Sequence, residues 1–120
     1  MATVNPAITH IGSQDGSVLK FEWTLTGTND GAPMQFAEWA DRSVAMTGTW
    51  GGGTVVWEGS NDGGVTYYTL NDPQAVAISK TANALEQVIE VTEYARPRAS
   101  VGVTSVVVSV VVRRQNNMRQ

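Results

Sequence analysis

Residues 48–64 read Gly48-Thr49-Trp50-Gly51-Gly52-Gly53-Thr54-Val55-Val56-Trp57-Glu58-Gly59-Ser60-Asn61-Asp62-Gly63-Gly64. They hold seven of the twelve glycines and two of the four tryptophans of a 120-residue chain. A glycine triplet and an Asn-Asp-Gly supply the positive φ angles that tight reversals need. Val55 and Trp57 stand two apart, the spacing of one face of a strand. The stretch therefore predicts strand, sharp turn, strand, sharp turn, with Thr54–Glu58 pairing back on Ser43–Trp50 across the glycines. None of its side chains makes a reaction centre, so the pattern points to a rigid β surface offered to a partner.

The same signal continues in both directions. In Val18–Thr26, Leu19, Phe21, Trp23 and Leu25 alternate with Lys20, Glu22, Thr24 and Thr26, the pattern of a half-buried strand. In Val103–Arg113, Val106, Val108, Val110 and Val112 form one apolar face, while Ser105 and Ser109 interrupt the other. That second face predicts contact with another sheet element or a neighbouring subunit. Ser43–Trp50, Val65–Leu70, Ala75–Lys80 and Gln87–Tyr94 read as further strands, with turns at Thr28–Pro33 and Asn71-Asp72-Pro73. Met34–Asp41 reads as irregular or a short helix, and Thr81–Leu85 as a single helical turn. About eight strands with almost no helix predict an all-β fold, an antiparallel, jelly-roll-like β-sandwich. One domain is expected over residues 1–120, with short flexible termini at about 1–14 and 115–120.

Composition excludes several function classes. Without cysteine there is no disulfide framework and no thiolate metal site, which fits synthesis in a reducing cytoplasm. The valine-rich run Val101–Val112 is far shorter than the roughly 20 residues of a spanning helix, and no signal-peptide pattern opens the chain. No membrane association is expected. The net charge of −3 divides into −8 over residues 1–95 and +5 over residues 96–120, the latter from Arg96, Arg98, Arg113, Arg114 and Arg119. An acidic body with a basic end suggests docking on an acidic partner. Five arginines without interleaved aromatics argue against nucleic acid. The plainer role for Arg113 and Arg114 is to close a strand and keep its edge soluble.

Candidate chemistry is sparse. His10 is the sole histidine, and no Gly-x-Ser-x-Gly elbow accompanies it. Gly51-Gly52-Gly53-Thr54 lacks the lysine and following helix of a phosphate loop. Glu22, Glu38 and Glu58 could pair as acid and base, but Glu22 and Glu58 fall at solvent positions of strand patterns. The pairs Asn29-Asp30, Asn61-Asp62 and Asn71-Asp72 offer oxygens for Ca²⁺, yet match no calcium loop and suit turns for their own reasons. Neither cofactor nor metal is expected. Trp23, Trp50 and Trp57 lie on apolar strand faces and read as core. Trp39 is the tryptophan placed for exposure, as a sugar platform or as an interface anchor.

Taken together, Gly27-Thr28-Asn29-Asp30-Gly31-Ala32-Pro33, Asp41-Arg42-Ser43-Val44, Gly48–Gly52, Glu58–Gly63 and Arg96-Pro97 resemble small β-sandwich structural proteins of tailed-bacteriophage virions. The likeness is strongest to the capsid cement, or decoration, proteins and covers roughly residues 18–114. It implies a non-enzymatic protein on the outer capsid surface of a virion, clamping adjacent major capsid protein subunits. Two departures stand out. Gly53 occupies a position where alanine is common, implying a looser turn, and Tyr67-Tyr68 stands where one aromatic is usual. Arg113, Arg114 and Arg119 are the expected contacts to acidic capsid surface, and Trp39 the expected apolar anchor. A homodimer through the Val/Ser face of the last strand is expected, with a trimer as the alternative. The competing readings are a carbohydrate-binding sandwich for host adsorption and a low-copy tail or neck component.

Overall fold

Alternation of apolar and small polar residues builds the centre of the fold, and the residues flanking it decide the rest. The computed structural model describes residues 3–11, 18–36 and 39–114, apart from the side chains of Trp39, Ala40 and Arg114. Among the described residues there are eleven strands: β1 (Thr3–Val4), β2 (Ala7–His10), β3 (Val18–Gly27), β4 (Asp30–Gly31), β5 (Trp39–Thr49), β6 (Thr54–Ser60), β7 (Tyr68–Thr69), β8 (Ser79–Lys80), β9 (Ala84–Gln87), β10 (Tyr94–Val101) and β11 (Val103–Arg114). They form two sheets. Sheet I runs β1-β4-β10-β6-β7, with β8 also on β6, and sheet II runs β2-β3-β11-β5-β9. The described pairings are antiparallel except β1 on β4. The expected all-β sandwich is therefore what the chain forms.

The core lies between the sheets. Phe21, Trp23 and Leu25 of β3, Val44 and Met46 of β5, and Val106, Val108, Val110 and Val112 of β11 face Val55 and Trp57 of β6 and Ala95 and Ala99 of β10. The rings of Phe21, Trp23, Phe36 and Trp57 form one cluster, with centroids 4.9 Å apart for Phe21–Phe36 and 5.7 Å for Trp23–Trp57. Burying each such side chain contributes roughly 1.5–3 kcal/mol, and edge-on ring contacts add to that. The Trp23 Nε1–H donates to the Ala32 carbonyl at 3.2 Å, so the indole is buried without an orphaned donor.

The glycine block reverses the chain as expected but does not make a hairpin. Gly51 and Gly52 adopt φ of +58° and +81°, and the Gly53 N–H donates to the Trp50 carbonyl at 2.8 Å. The strands on either side then part. β5 joins sheet II beside β11 and β9, while β6 joins sheet I beside β10. The turn is a corner between layers, and it packs on the β10–β11 corner. A Cβ at position 53 would lie 2.3 Å from the Gly102 carbonyl oxygen and 2.4 Å from Val103 Cγ1. Gly53 therefore marks a tighter turn than alanine allows, not a looser one.

Other expectations are corrected. No helix occurs among the described residues: Met34 bridges Ala95, β5 begins at Trp39, and residues 81–83 lead directly into β9. Residues 88–93, expected as strand, form a strap between the sheets with Ile89 and Val91 exposed. Val65–Leu70 and Ala75–Lys80 contribute only the two-residue strands β7 and β8. The physical reason is competition from side chains. Asp62 accepts the Val65 and Thr66 N–H groups, and Asp72 those of Gln74 and Val76, which removes these donors from any ladder. Residues 3–10 of the expected loose N-terminal arm supply β1 and β2, one to each sheet. The expected C-terminal arm, 115–120, lies outside the described residues.

Candidate functional site

Three of the four expected contact residues meet at one end of sheet II. The β5–β11 register sets Trp39 opposite Arg114, Asp41 opposite Arg113 and Ser43 opposite Val111. The exposed Arg113 guanidinium donates through Nε to Asp41 Oδ2 at 3.0 Å, and its Nη2 donates to the same oxygen. An exposed pair of this kind is worth about 0–1 kcal/mol, so it orients Arg113 more than it stabilises the fold. For Trp39 and Arg114 the backbone alone is described, and Arg119 lies outside the described residues. Beside them is a depression of about 320 Å³ lined by Asp41, Arg42, Ser43, Gln87, Val111 and Arg113. It exists because β5 presents a serine between the longer side chains of its two neighbours.

Arg42 is next to this site but serves the fold. Alternation along β5 turns it to the core side, where it is buried and its Nη2 donates to the Glu90 carbonyl at 2.7 Å. Burial lowers its pKa, partly offset by the nearby carboxylates of Asp41 and Glu90. The bond ties the 88–93 strap to β5, together with the Val88 N–H to the Arg42 carbonyl.

A second charged cluster sits on the outer face of sheet I. Glu58, expected at a solvent position, is only 3 % exposed. It accepts Arg96 Nε at 2.7 Å and Arg98 Nε at 3.1 Å, and Arg96 Nη1 reaches Asp30 Oδ2 at 3.0 Å. Asp30 also accepts the Thr3 hydroxyl, so one network joins β1, β4, β10 and β6. The Tyr67 ring covers it, 3.8 Å from the Arg96 guanidinium carbon. Burial raises the Tyr67 pKa, opposed chiefly by the Arg96 charge. A partial signal lay in the spacing: Arg96 and Arg98 stand two apart on one strand face, where a carboxylate across the ladder is favourable, but the register that sets Glu58 opposite Arg96 is not local. With Arg113 on Asp41, three of the five arginines of the basic end are neutralised within the chain. The free basic end expected for an acidic partner is reduced accordingly.

The remaining candidates do not converge. His10 is exposed on edge strand β2, and Glu22 faces solvent on β3; Glu38 lies outside the described residues. The Asp62 carboxylate is held down to about 2, first by the Thr66 N–H and next by the Ser60 hydroxyl. Asp62 Oδ1, Asp72 Oδ1 and both Asp30 oxygens accept from protein donors, which fits turn and network roles. Among the described residues no three His, Cys, Asp or Glu come together as metal ligands, and the space between the sheets is filled by the aromatic and valine core. Of the tryptophans expected in the core, Trp23 and Trp57 are fully enclosed and Trp50 is buried. Tyr67 lies against Arg96, and Tyr68 is exposed.

No protein-family profile and no curated protein matches the chain by sequence. Solved structures match it in fold. The SPBc2 prophage-derived protein YomS aligns with a TM-score of 0.62 at 13% identity, over 79% of this chain and 93% of that one. A cupin domain from Bordetella pertussis Tohama I aligns at 0.51 and 12% identity over 96% of both chains. A recombinant oxalate oxidase in complex with glycolate aligns at 0.53 and 15% identity, over 92% of this chain and 52% of that one. At these identities the likeness is one of fold, and it agrees with the jelly-roll-like sandwich described above.

Proposed function

We propose that this chain is a non-enzymatic structural protein of a phage virion, seated on the outside of the capsid and clamping adjacent major capsid subunits. The observation that carries the reading is the likeness in fold to a prophage-derived protein over nearly all of that protein's length. Two features support it. Among the described residues the interior is packed with apolar side chains, and no three His, Cys, Asp or Glu side chains come together. The surface is instead built from stiff sheet faces, with Trp39, Arg113 and Arg114 at one end of sheet II. Repeated weak contacts of such faces add through multivalency on a shell. The glycan-binding alternative is weakened by the enclosure of Trp23, Trp50 and Trp57, which leaves few flat aromatic faces.

The test is rebinding. Purified protein is added to heads stripped of it, and bound protein and heat resistance of the heads are measured. The expected result is saturable binding with recovered heat resistance. Absence of binding, or binding without any effect on the heads, refutes the clamping role.

A further inference from the structure

The outer face of sheet II carries a second inference, independent of the virion reading. Its outward residues follow from alternation with the core. β5 presents Ser43, Ala45 and Thr47, β11 presents Ser105, Val107, Ser109 and Val111, and β3 presents Lys20, Glu22 and Thr24. Apart from Lys20 and Glu22 these are small or β-branched side chains in ladder register, and no described strand packs over them. Leu85 of the edge strand β9 stands opposite Ala45 on the same face and is 68 % exposed. With Val111, 37 % exposed on the same face, Leu85 forms an apolar patch beside a hollow lined by Ser43, Gln87 and Val111.

The two charges on this face are arranged for self-recognition. Lys20 lies in the row of Val111, Ser43 and Gln87, and Glu22 in the next row with Ser109, Ala45 and Leu85. Neither forms an ion pair with any described residue. We infer that this face docks on the same face of a second copy of the chain, about a two-fold axis running across the strands between these two rows. That operation sets Lys20 against Glu22 of the second copy, and Glu22 against its Lys20. It lays Ala45 over Ser43 and Ser109 over Val111, and brings each Leu85 over Gln87 at the lip of the opposite hollow. Small residues at the centre let the sheets approach closely, and the same patch serves both copies with each pair occurring twice, as an isologous interface requires. With strands about 4.8 Å apart and 3.4 Å per residue, the face measures roughly 600 Å² in projection. Side-chain relief brings it near the roughly 800 Å² per partner of a stable interface.

Sedimentation equilibrium from about 1 to about 100 µM protein, a range that brackets ordinary dimer affinities, tests this directly. The wild-type chain is expected to be a dimer. Lys20→Glu sets acids against acids at both pairs and is expected to weaken the dimer at least about tenfold. The Lys20→Glu/Glu22→Lys double variant restores opposite charges and is expected to recover dimerisation, while circular dichroism and a thermal melt check that the single variant is folded. Leu85→Asp is expected to weaken it through the edge contact. A wild-type monomer over the whole range leaves this face to the capsid or another partner and overturns the inference. A trimer, a Lys20→Glu variant that dimerises like wild type, or a double variant that fails to recover overturns it as well.

Discussion

Replacing Glu58 by alanine tests whether the outer face of sheet I is held by its charged network. Glu58 is 3 % exposed and is the shared acceptor of Arg96 and Arg98. Removing one partner of a fully buried ion pair costs about 3–5 kcal/mol, because the other charge is left without compensation. Two features lower that figure here. Arg96 keeps Asp30 at 3.0 Å, and the Arg98 side chain is 35 % exposed and rehydrates. The expected loss is then about 2–3 kcal/mol. For 120 residues the unfolding entropy is near 0.25 kcal/mol/K, so the melting temperature should fall by about 8–12 °C. Differential scanning calorimetry at moderate salt reads this, and a double-mutant cycle with Arg98→Ala should show a coupling of about 1 kcal/mol. A fall of less than about 2 °C, or no coupling, refutes the claim that the network stabilises the face.

Two further perturbations follow from the geometry. Gly53→Ala drives a Cβ onto the Gly102 carbonyl and Val103, and should cost about 1–3 kcal/mol in thermal or urea melts; unchanged stability would show that the corners do not pack as described. The Asp62 carboxyl is held at about 2, against 3.8 for an ordinary aspartate. Its folded-state pKa is the lower one, so its contribution is complete above about pH 4 and is lost as pH falls towards 2. Asp62→Asn should therefore flatten the acid limb of melting temperature against pH in that window while leaving its shape above pH 5 alone. An unaltered acid limb contradicts the role assigned to Asp62.

The strands at the centre were legible because their pattern is local. Leu19, Phe21, Trp23 and Leu25 alternate with polar residues, the even-numbered valines of β11 form an unbroken apolar row, and the structure buries or half-buries each of them as read. What the pattern could not carry was pairing. The reversal at Gly51-Gly52 is a property of those residues, but whether the next strand lies beside the last or in the opposite sheet depends on Gly102 and Val103, some fifty residues on. Glu58 was misplaced for the same reason, since its burial comes from Arg96, Arg98 and the covering Tyr67, and none is its sequence neighbour. The two-residue strands β1, β4, β7 and β8 are shorter than any period. At the candidate site, sequence placed Arg113 and Arg114 at a strand end, and the fold added Trp39 and Asp41 by register. The Asp41 partner that compensates Arg113 was not foreseeable without that register.

The central claim is a place on the capsid, and copy number tests it most directly. Purified particles carrying this gene product should be assayed by quantitative gel or mass spectrometry against the major capsid protein, before and after mild salt stripping. Hundreds of copies per particle, released without loss of the tail, are expected. A handful of copies indicates a tail or neck component, and their absence from particles contradicts the account altogether.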